Sequence, residues 1–273
     1  DAQESRGLGD VYKRQGLNSH HAILLRADSG EVLVEKNADS TIYPASMTKM
    51  MTALLAIEAN PDLDTPVTLP EEVFPALQAQ NASLAGFQPG ETATVRDLLY
   101  GAMLPSGAEC CEALAREVSG SEEAFVARMN QKAAELGMTG THFCNPTGLH
   151  DPEHVSTVRD MARLTEAALQ NETFRKLFTT ERYTVPATNC HPQGFTMRST
   201  LLSQLDGTAL HSGRILGGKT GYTGEAGLCL ASLAEVKGRE YILVTAGAGG
   251  NHSTAPYHIE DAVTVYRRVS RGS

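Results

Sequence analysis

The sequence predicts an α+β fold, in which an antiparallel sheet built from both ends of the chain is covered by helices and joined to an all-helical subdomain. Strand-like segments occur near the two ends of the 273 residues, and segments with helical spacing fill the middle. Strands and helices do not alternate, which argues against a doubly wound parallel sheet. We expect one domain over residues 16–273, with its sheet at about 16–60 and 180–273 and its helical part at about 61–179.

The start of this domain predicts a β-hairpin followed by a helix. Two apolar-rich runs, 22–26 and 31–36, flank a glycine-containing turn at 28–30. In residues 46–59 apolar side chains recur three and four positions apart, until Asn60-Pro61 ends the pattern. We expect the methionine-rich stripe of this helix to lie in the core.

The middle of the chain predicts helices, and its last third predicts strands and a closing helix. A hydroxyl followed three positions later by an acid, typical of a helix N-terminus, occurs at Thr94 and Asp97 and again at Thr157 and Asp160. The predicted helices are 94–103, 109–118, 121–136, 157–170 and 259–269. The predicted strands are 182–186, 218–220, 228–233 and 241–246, with a hairpin turn at 237–238.

Composition and charge exclude several classes of protein. Asp and Glu outnumber Lys and Arg by 32 to 23, and a net charge of −9 argues against a nucleic-acid binder. No run approaches 18 consecutive apolar residues, so we expect no membrane anchor in this chain. The 5 cysteines lack metal-ligand spacing, and their odd number excludes a complete set of disulfides within one chain. We expect neither a metal nor a cofactor.

The first fifteen residues, DAQESRGLGDVYKRQ, have no amphipathic period and lack the apolar core of a signal peptide. The run DVYKRQ at 10–15 resembles the in-frame translation of a transposase sequencing adaptor. We expect residues 1–15 to be such a remnant, the natural sequence to start near Gly16, and the signal segment to be missing here.

The first candidate for chemistry is the pair Ser46 and Lys49. Pro44 favours a helix start at the serine, and positions three apart share one face of a helix. A serine hydroxyl needs a base to become a nucleophile, and a lysine amine serves as one only when burial or a nearby cation lowers its pKa. S-x-x-K alone is a weak signal, because a surface Ser and Lys on a helix give the same pattern.

Two further motifs strengthen the case. The run K-T-G at 219–221 combines an amine and a hydroxyl, which suit a carboxylate, with a glycine that lets another backbone approach closely. The run S-G-A at 106–108 follows Leu104-Pro105 in a loop, where a serine by itself is more often a helix cap.

In the order S-x-x-K, S-G-x and K-T-G, the three motifs resemble those of the penicillin-recognising serine enzymes. The flanking sequences are similar to the low-molecular-mass penicillin-binding proteins that are serine-type D-alanyl-D-alanine carboxypeptidases: YPASMTKMMTALLA, LLYGAMLPSGAECCEALA, NPTGLHDPEHVSTVRDMARL and GGKTGYTGEAGLCLAS. The resemblance covers about residues 20–270 and implies the β-lactamase/transpeptidase-like fold, with 16–273 as a penicillin-binding catalytic domain.

The resemblance implies a serine D,D-carboxypeptidase that removes the terminal D-Ala from peptidoglycan stem peptides through an acyl-enzyme. Its implied catalytic residues are Ser46 as nucleophile, Lys49 as base and Ser106 as proton relay. Its implied substrate-binding residues are Lys219, Thr220, Gly221, Tyr222 and Arg198. In this interpretation a protonated Lys219 holds the terminal carboxylate, and the backbone N–H groups of Ser46 and Tyr222 form the oxyanion hole.

The same resemblance implies β-lactams as covalent inhibitors and a place of action outside the cytoplasm, in the periplasm or at the cell-wall face. Two positions depart from the family pattern. Ala108 stands where the family normally has Asn, and Tyr222 where many members have His or Thr. Members often continue into a β-rich domain and an amphipathic membrane helix. Two alternatives therefore stay open: a catalytically weakened penicillin-binding or cell-wall-binding protein, and a D,D-endopeptidase.

Two rival enzymes fit less well. A class A β-lactamase needs a mid-chain glutamate that activates the deacylating water, and Glu153 lies in a different context, so we expect no rapid β-lactam hydrolysis. A zinc peptidase could use His150 and His154, but their segment contains a proline and has no helical period. Cys111 is expected near the Ser106 loop, where a thiol reagent would inhibit.

Overall fold

The computed structural model describes residues 16–205 and 210–271. The predicted adaptor remnant at 1–15 lies outside the described residues. No helix in the described part of the chain is both long and apolar enough to span a membrane.

A five-stranded antiparallel sheet combines strands from both ends of the chain, as the sequence predicts. The strands are β1 (His21–Arg26), β2 (Val32–Lys36), β7 (Gly213–Thr223), β8 (Gly227–Val236) and β9 (Arg239–Ala248). Their order in the sheet is β2-β1-β9-β8-β7, so the N-terminal hairpin pairs with the C-terminal strands through β1 and β9. Lys237 and Gly238 both have positive φ, 52° and 75°, which is the two-residue turn that suits the twist of the hairpin between β8 and β9.

Eight α-helices accompany the sheet in the described residues. They are α1 (Lys49–Ala59), α2 (Phe74–Ala79), α3 (Val95–Met103), α4 (Ala108–Ser119), α5 (Glu122–Glu135), α6 (Val158–Leu169), α7 (Glu172–Phe178) and α8 (Tyr257–Arg271). The predicted capping box is present, since Thr94 Oγ1 accepts from Asp97 N–H and Asp97 Oδ2 accepts from Thr94 N–H, both at 3.1 Å.

Each face of the sheet has its own hydrophobic core. Because side chains alternate along a strand, Ile23 and Leu25 of β1 pack with the central helices, whereas Ala22 and Leu24 pack beneath α8. Helix α1 is buried from Lys49 through Ile57, including the predicted methionine stripe. A helix buried on all sides gives a fixed position to whatever its first turn carries.

The structure corrects several sequence-based predictions of elements. The strand predicted at 182–186 is β5 (Arg182–Val185), but it pairs with β6 (Phe195–Arg198) in a separate hairpin and not with the central sheet. A second small ladder joins β3 (Pro66–Thr68) to β4 (Thr92–Thr94). Helices α2 and α7 are too short to show a helical period and were not predicted. The division of the chain at about residues 60 and 180 stays a prediction.

Candidate active site

Ser46 lies in a 3₁₀ turn, Ala45–Thr48, that leads directly into α1. The sequence predicts a regular helix from Ser46, and the tighter turn replaces its first residues. Ala45 has φ of 47°, a left-handed conformation that is costly for alanine. Gly148 packs so closely on this turn that an added Cβ would overlap the Ala45 carbonyl. The conformation around Ser46 is therefore imposed by the tertiary packing.

A buried histidine braces the same turn. Cys144 N–H donates to His154 Nδ1 at 2.9 Å, so the ring proton is on Nε2, which donates to Thr48 Oγ1 at 2.8 Å. Burial lowers the pKa of His154 to about 4, which keeps the ring neutral at physiological pH. With both ring nitrogens occupied, His154 has a structural role beside the turn.

Two lysine amines converge on one serine hydroxyl. Lys49 Nζ lies 3.0 Å from Ser46 Oγ and 2.9 Å from Ser106 Oγ, and it donates to the Ser106 carbonyl at 2.7 Å. Lys219 Nζ lies 3.0 Å from the same Ser106 Oγ. Side chains from three separate stretches of the chain thus form one hydrogen-bonded chain from Ser46 to Lys219.

Burial shifts the acidity of both amines. Lys49 is 2% exposed and Lys219 is 0% exposed. Desolvation lowers the pKa of Lys49, and desolvation together with the positive charge of Lys49 lowers the pKa of Lys219 well below its usual value. A neutral Lys49 is thereby favoured, as base chemistry needs. The protonated Lys219 expected from the sequence is disfavoured in the free protein, because two buried charges bridged by one hydroxyl repel each other.

The Ser106 loop is held in a strained conformation. Ser106 has φ of 67°, which is uncommon for a residue with a side chain. The following helix α4 is anchored by Ala108 N–H, which donates to the Ser83 carbonyl at 2.8 Å. The buried Glu109 carboxylate accepts from Ala85 N–H at 2.8 Å and from Gly86 N–H at 3.2 Å. Glu109 therefore ties the neighbouring loop to the helix that follows Ser106.

The K-T-G run forms the strand β7 edge next to Ser46. Thr220 Oγ1 and Thr200 Oγ1 are 2.6 Å apart, and Lys219 Nζ also donates to the Thr220 carbonyl at 2.7 Å. A Cβ added at Gly221 would lie 2.9 Å from Ser46 N, so glycine allows the strand to approach the serine turn, as the sequence predicts.

Two cavities meet at Ser46. The first, about 180 Å³, is lined by Ser46, Ser106, Thr200, Thr220, Gly221 and Tyr222 among others, and we call it the serine cavity. The second, about 530 Å³, extends from Ser46 and Lys49 past Ala108 to 147–150, and we call it the long groove. Ser46 and Tyr222 line both, so the hydroxyl stands at the junction of two spaces.

The structure brings most of the predicted site residues together, but Arg198 lies apart from them. Ser46, Lys49, Ser106, Lys219, Thr220, Gly221 and Tyr222 all touch the network or the cavities. Arg198 is exposed at the end of β6, across from Arg182, and it is not among the described residues lining either cavity. Thr200, two positions later, contacts Thr220 instead. In the sequence, the only indication of a role for Thr200 was its place in the same RSTLL segment as Arg198.

The two histidines considered for a zinc site, His150 and His154, make contacts with different parts of the protein. His154 is committed to Thr48 and Cys144, whereas His150 packs edge-on against Tyr43 and lies 3.9 Å from Glu225. Within 16–205 and 210–271, no group of three or more His, Cys, Asp or Glu side chains is arranged to hold a metal ion.

Cys111 lies near both lysines but is inaccessible. It is 0% exposed, and burial raises the pKa of its thiol to about 12. A thiol reagent needs an accessible thiolate, so the inhibition expected from the sequence is not supported by the structure.

Comparisons with known proteins agree with this geometry. The family model for D-alanyl-D-alanine carboxypeptidase, peptidase family S11, matches residues 10–250. D-alanyl-D-alanine carboxypeptidase DacF of Bacillus subtilis is 38% identical over 232 residues, which are 83% of this chain and 57% of that protein. A D-alanyl-D-alanine endopeptidase of Pseudomonas aeruginosa is 31% identical over 266 residues, which are 95% of this chain and 79% of that protein.

A solved structure gives the same result for the fold. The crystal structure of the Streptomyces K15 DD-transpeptidase matches with a TM-score of 0.83 and 30% identity, covering 93% of this chain and 98% of that one. The predicted β-lactamase/transpeptidase-like fold is thereby confirmed. This chain spans little more than half the length of DacF, 57%. The chain belongs to peptidase family S11, the D-alanyl-D-alanine carboxypeptidase family.

Proposed function

We propose that this chain is a serine D,D-carboxypeptidase, which removes the terminal D-Ala from peptidoglycan stem peptides through an acyl-enzyme on Ser46. One observation carries the proposal: two buried amines, Lys49 and Lys219, are hydrogen-bonded to the hydroxyl of Ser106, and Lys49 also contacts Ser46. A lone S-x-x-K pair on a surface helix would be solvated and would lack the second amine.

Acylation follows from this network. Ser46 Oγ attacks the carbonyl carbon of the penultimate D-Ala, and neutral Lys49 accepts the serine proton at 3.0 Å. Ser106, which bridges the two amines, passes a proton to the nitrogen of the terminal D-Ala as the C–N bond breaks. Water then attacks the acyl-enzyme carbonyl and releases the shortened peptide, with proton transfer through the same groups.

The terminal carboxylate of the substrate belongs in the serine cavity, beside Lys219 and Thr220. A bound anion stabilises the charged form of a nearby amine, so substrate binding raises the pKa of Lys219 from its lowered value in the free protein. Binding of the carboxylate therefore favours the uptake of a proton from solvent by Lys219. The backbone N–H of Ser46, in the first turn of its helix and without an intrahelical acceptor, and that of Tyr222 would hold the oxyanion.

The relatives support two further elements of the proposal. The endopeptidase name of the Pseudomonas aeruginosa relative favours D,D-endopeptidase action as the second candidate. β-Lactams would acylate Ser46, and the peptidoglycan substrate places the reaction outside the cytoplasm.

Among the described residues lining the two cavities, Glu225 is the only carboxylate, so we expect slow deacylation of β-lactams and no rapid turnover of a chromogenic cephalosporin.

The test combines two assays on the wild type and Ser46→Ala. We expect a penicillin adduct in the intact mass and D-Ala release from a D-Ala-D-Ala peptide, both lost in Ser46→Ala. Ser83→Ala, which changes another hydroxyl lining both cavities, is the matched control. An adduct without D-Ala release would instead identify a penicillin-binding or wall-binding protein. Cleavage of crosslinked peptides in preference to D-Ala release would identify an endopeptidase.

A further inference from the structure

One wall of the serine cavity comes from the end of the chain. It is lined by Asn251, His252 and Thr254 in the loop after β9, and by Pro256 and His258 around the start of α8. Among the described residues lining this cavity there is no Asp, Glu, Lys or Arg, so a carboxylate that enters it meets hydroxyls, amides and two imidazoles. The imidazoles are the most basic side chains of this lining.

His258 carries a buried imidazole with a nitrogen that the fold does not use. The residue is 7% exposed, and its Nδ1 has no hydrogen-bond partner among the described residues. Asp261, one turn further along α8, already accepts four hydrogen bonds from Asn18 and Ser19. Buried polar groups without partners are rare, because their desolvation cost is then uncompensated. An imidazole kept at that cost in the wall of a cavity beside Ser46 points to a ligand.

The ring of His258 is a neutral hydrogen-bond donor. Burial lowers the pKa of His258 to about 4, so the imidazole is uncharged at neutral pH and has one N–H and one acceptor nitrogen. Buried N–H groups without an acceptor are rarer than buried acceptors without a donor, so the ring proton belongs on Nε2 and not on the unpartnered Nδ1. The Nε2–H group is therefore the donor that His258 can offer to a ligand in the serine cavity.

The surroundings of His258 favour an anion. Helix α8, of 15 residues, begins beside the cavity, and the first N–H groups of a helix lack intrahelical acceptors and carry partial positive charge. The hydroxyls of Thr200 and Thr220, which are 2.6 Å apart, belong to the same lining. Two hydroxyls and one imidazole, from three separate stretches of the chain, thus line one space next to Ser46.

We propose that His258 is a substrate-binding residue, whose ring Nε2–H donates a hydrogen bond to the terminal carboxylate of the substrate. The inference rests on the proposed function, which places that carboxylate in the serine cavity. It gives His258 the contact that the sequence predicts for Arg198, whose guanidinium lies at the surface. Lys219 must first take up a proton to become a cation, whereas the His258 donor is present in the free protein at neutral pH.

The test uses two peptides that differ only at the carboxyl end, Nα,Nε-diacetyl-L-Lys-D-Ala-D-Ala and the same peptide ending in D-alaninamide. For the wild type we expect a higher kcat/KM for the acid than for the amide. His258→Leu removes the donor and should lower this acid/amide ratio about tenfold or more, as for one hydrogen bond to a charged group. His258→Gln, whose amide N–H can replace the ring Nε2–H, should retain most of the ratio. A Gln variant as impaired as Leu would overturn the proposal.

Control variants separate this ring from other imidazoles and from packing. His252→Leu removes the other imidazole of the serine cavity, and loss of the ratio there with retention in His258→Leu would overturn the proposal. His142→Leu removes an exposed imidazole outside the described linings of both cavities and should keep the wild-type ratio. Because Nδ1 has no partner to lose, His258→Leu should resist urea at pH 7 at least as well as the wild type. A loss of stability would make the lost ratio a consequence of packing and would also overturn the proposal.

Penicillin acylation keeps this test independent of peptide turnover. The rate at which benzylpenicillin and its methyl ester form an adduct on Ser46, followed by intact mass, reports the same preference for a free carboxylate. A preference for the acid that is lost in His258→Leu, with no D-Ala release from the wild type, would refute the proposed function and support the role of His258. Equal ratios in the wild type and His258→Leu, with normal D-Ala release, would refute the role of His258 alone.

Discussion

Lys49 and Lys219 donate to the same atom, Ser106 Oγ, at distances of 2.9 and 3.0 Å. Neither amine is accessible to solvent in more than a trace, so the pair is costly to charge twice. The arrangement that burial favours in the free protein is a pair of neutral amines on either side of one hydroxyl. It provides a base for Ser46 at one end and a latent cation for the substrate carboxylate at the other.

Ser106→Ala removes the bridging oxygen and leaves the fold in place, because Lys49 still donates to the Ser106 carbonyl. We expect kcat/KM for D-Ala release to fall about 10²–10³-fold, as for loss of a positioned proton-transfer group. Penicillin acylation followed by intact mass should slow in parallel. A rate close to that of the wild type would show that protons reach the leaving group by another route.

Ala108→Asn restores the amide that the family pattern has at this position. Ala108 is buried and lines the long groove together with Ser46 and Lys49, so the new amide can hydrogen-bond the substrate backbone and orient Lys49. We expect kcat/KM to rise about fivefold to tenfold, for one net hydrogen bond of about 1 kcal/mol. Ala108→Leu, similar in size and apolar, should lower it. Equal effects of Asn and Leu would indicate that only volume matters here.

Gly221→Ala tests the close approach of β7 to the nucleophile. The added Cβ lies 2.9 Å from Ser46 N, so the serine turn must move, and we expect acylation to slow about 10²-fold, as for a misplacement of about 1 Å. Gly224→Ala is the matched control, since nothing lies within 4 Å of its Cβ, and it should acylate like the wild type. Stopped-flow acylation with a fluorescent penicillin measures both.

The lowered pKa of His154 predicts that the protein loses stability in mild acid. Its pKa is about 4 in the folded protein against 6.5 for the unmodified side chain, so the unfolded chain takes up the proton first as the pH falls. The stabilisation is complete above pH 6.5 and is lost progressively toward pH 4. We expect the free energy of unfolding to decrease by about 2 kcal/mol from this imidazole between pH 7 and pH 5.

Urea denaturation at the two pH values measures that decrease. His258, whose pKa is also lowered to about 4 by burial, adds a second contribution of the same sign. His154→Gln should be less stable at pH 7 and should show a smaller decrease on acidification. An unchanged slope in this variant would mean that His154 is already solvated in the folded state.

The cysteines should differ in their reaction with a thiol reagent. Cys110, Cys111 and Cys229 are buried, whereas Cys144 and Cys190 are partly exposed. Burial raises the pKa of Cys111 and Cys229 to about 12, so we expect only the two partly exposed thiols of the native protein to react quickly. Rapid labelling of Cys111 with loss of acylation would contradict the buried site.

Several features of the fold were predictable because they depend on neighbours in sequence. The hairpin at 28–30, the capping box at Thr94 and the turn at 237–238 are local devices, and all three are present. The separate β5–β6 hairpin was not predictable, because the pattern of apolar residues in a strand does not determine which other strand it pairs with. The position of Arg198 was not predictable either: its segment reaches the serine cavity through Thr200, but β6 leaves the Arg198 guanidinium at the surface.

By itself the sequence determined the fold class, the family and the pairing of Ser46 with Lys49, since side chains three positions apart share a face in the observed 3₁₀ turn as they do in the predicted α-helix. Only the tertiary structure decided that Lys219 contacts Ser106, from which it is 113 positions away in the sequence, and that the Lys49 and Lys219 amines are both excluded from solvent. Burial depends on what packs around a group from distant parts of the chain, and burial sets the pKa on which the chemistry depends.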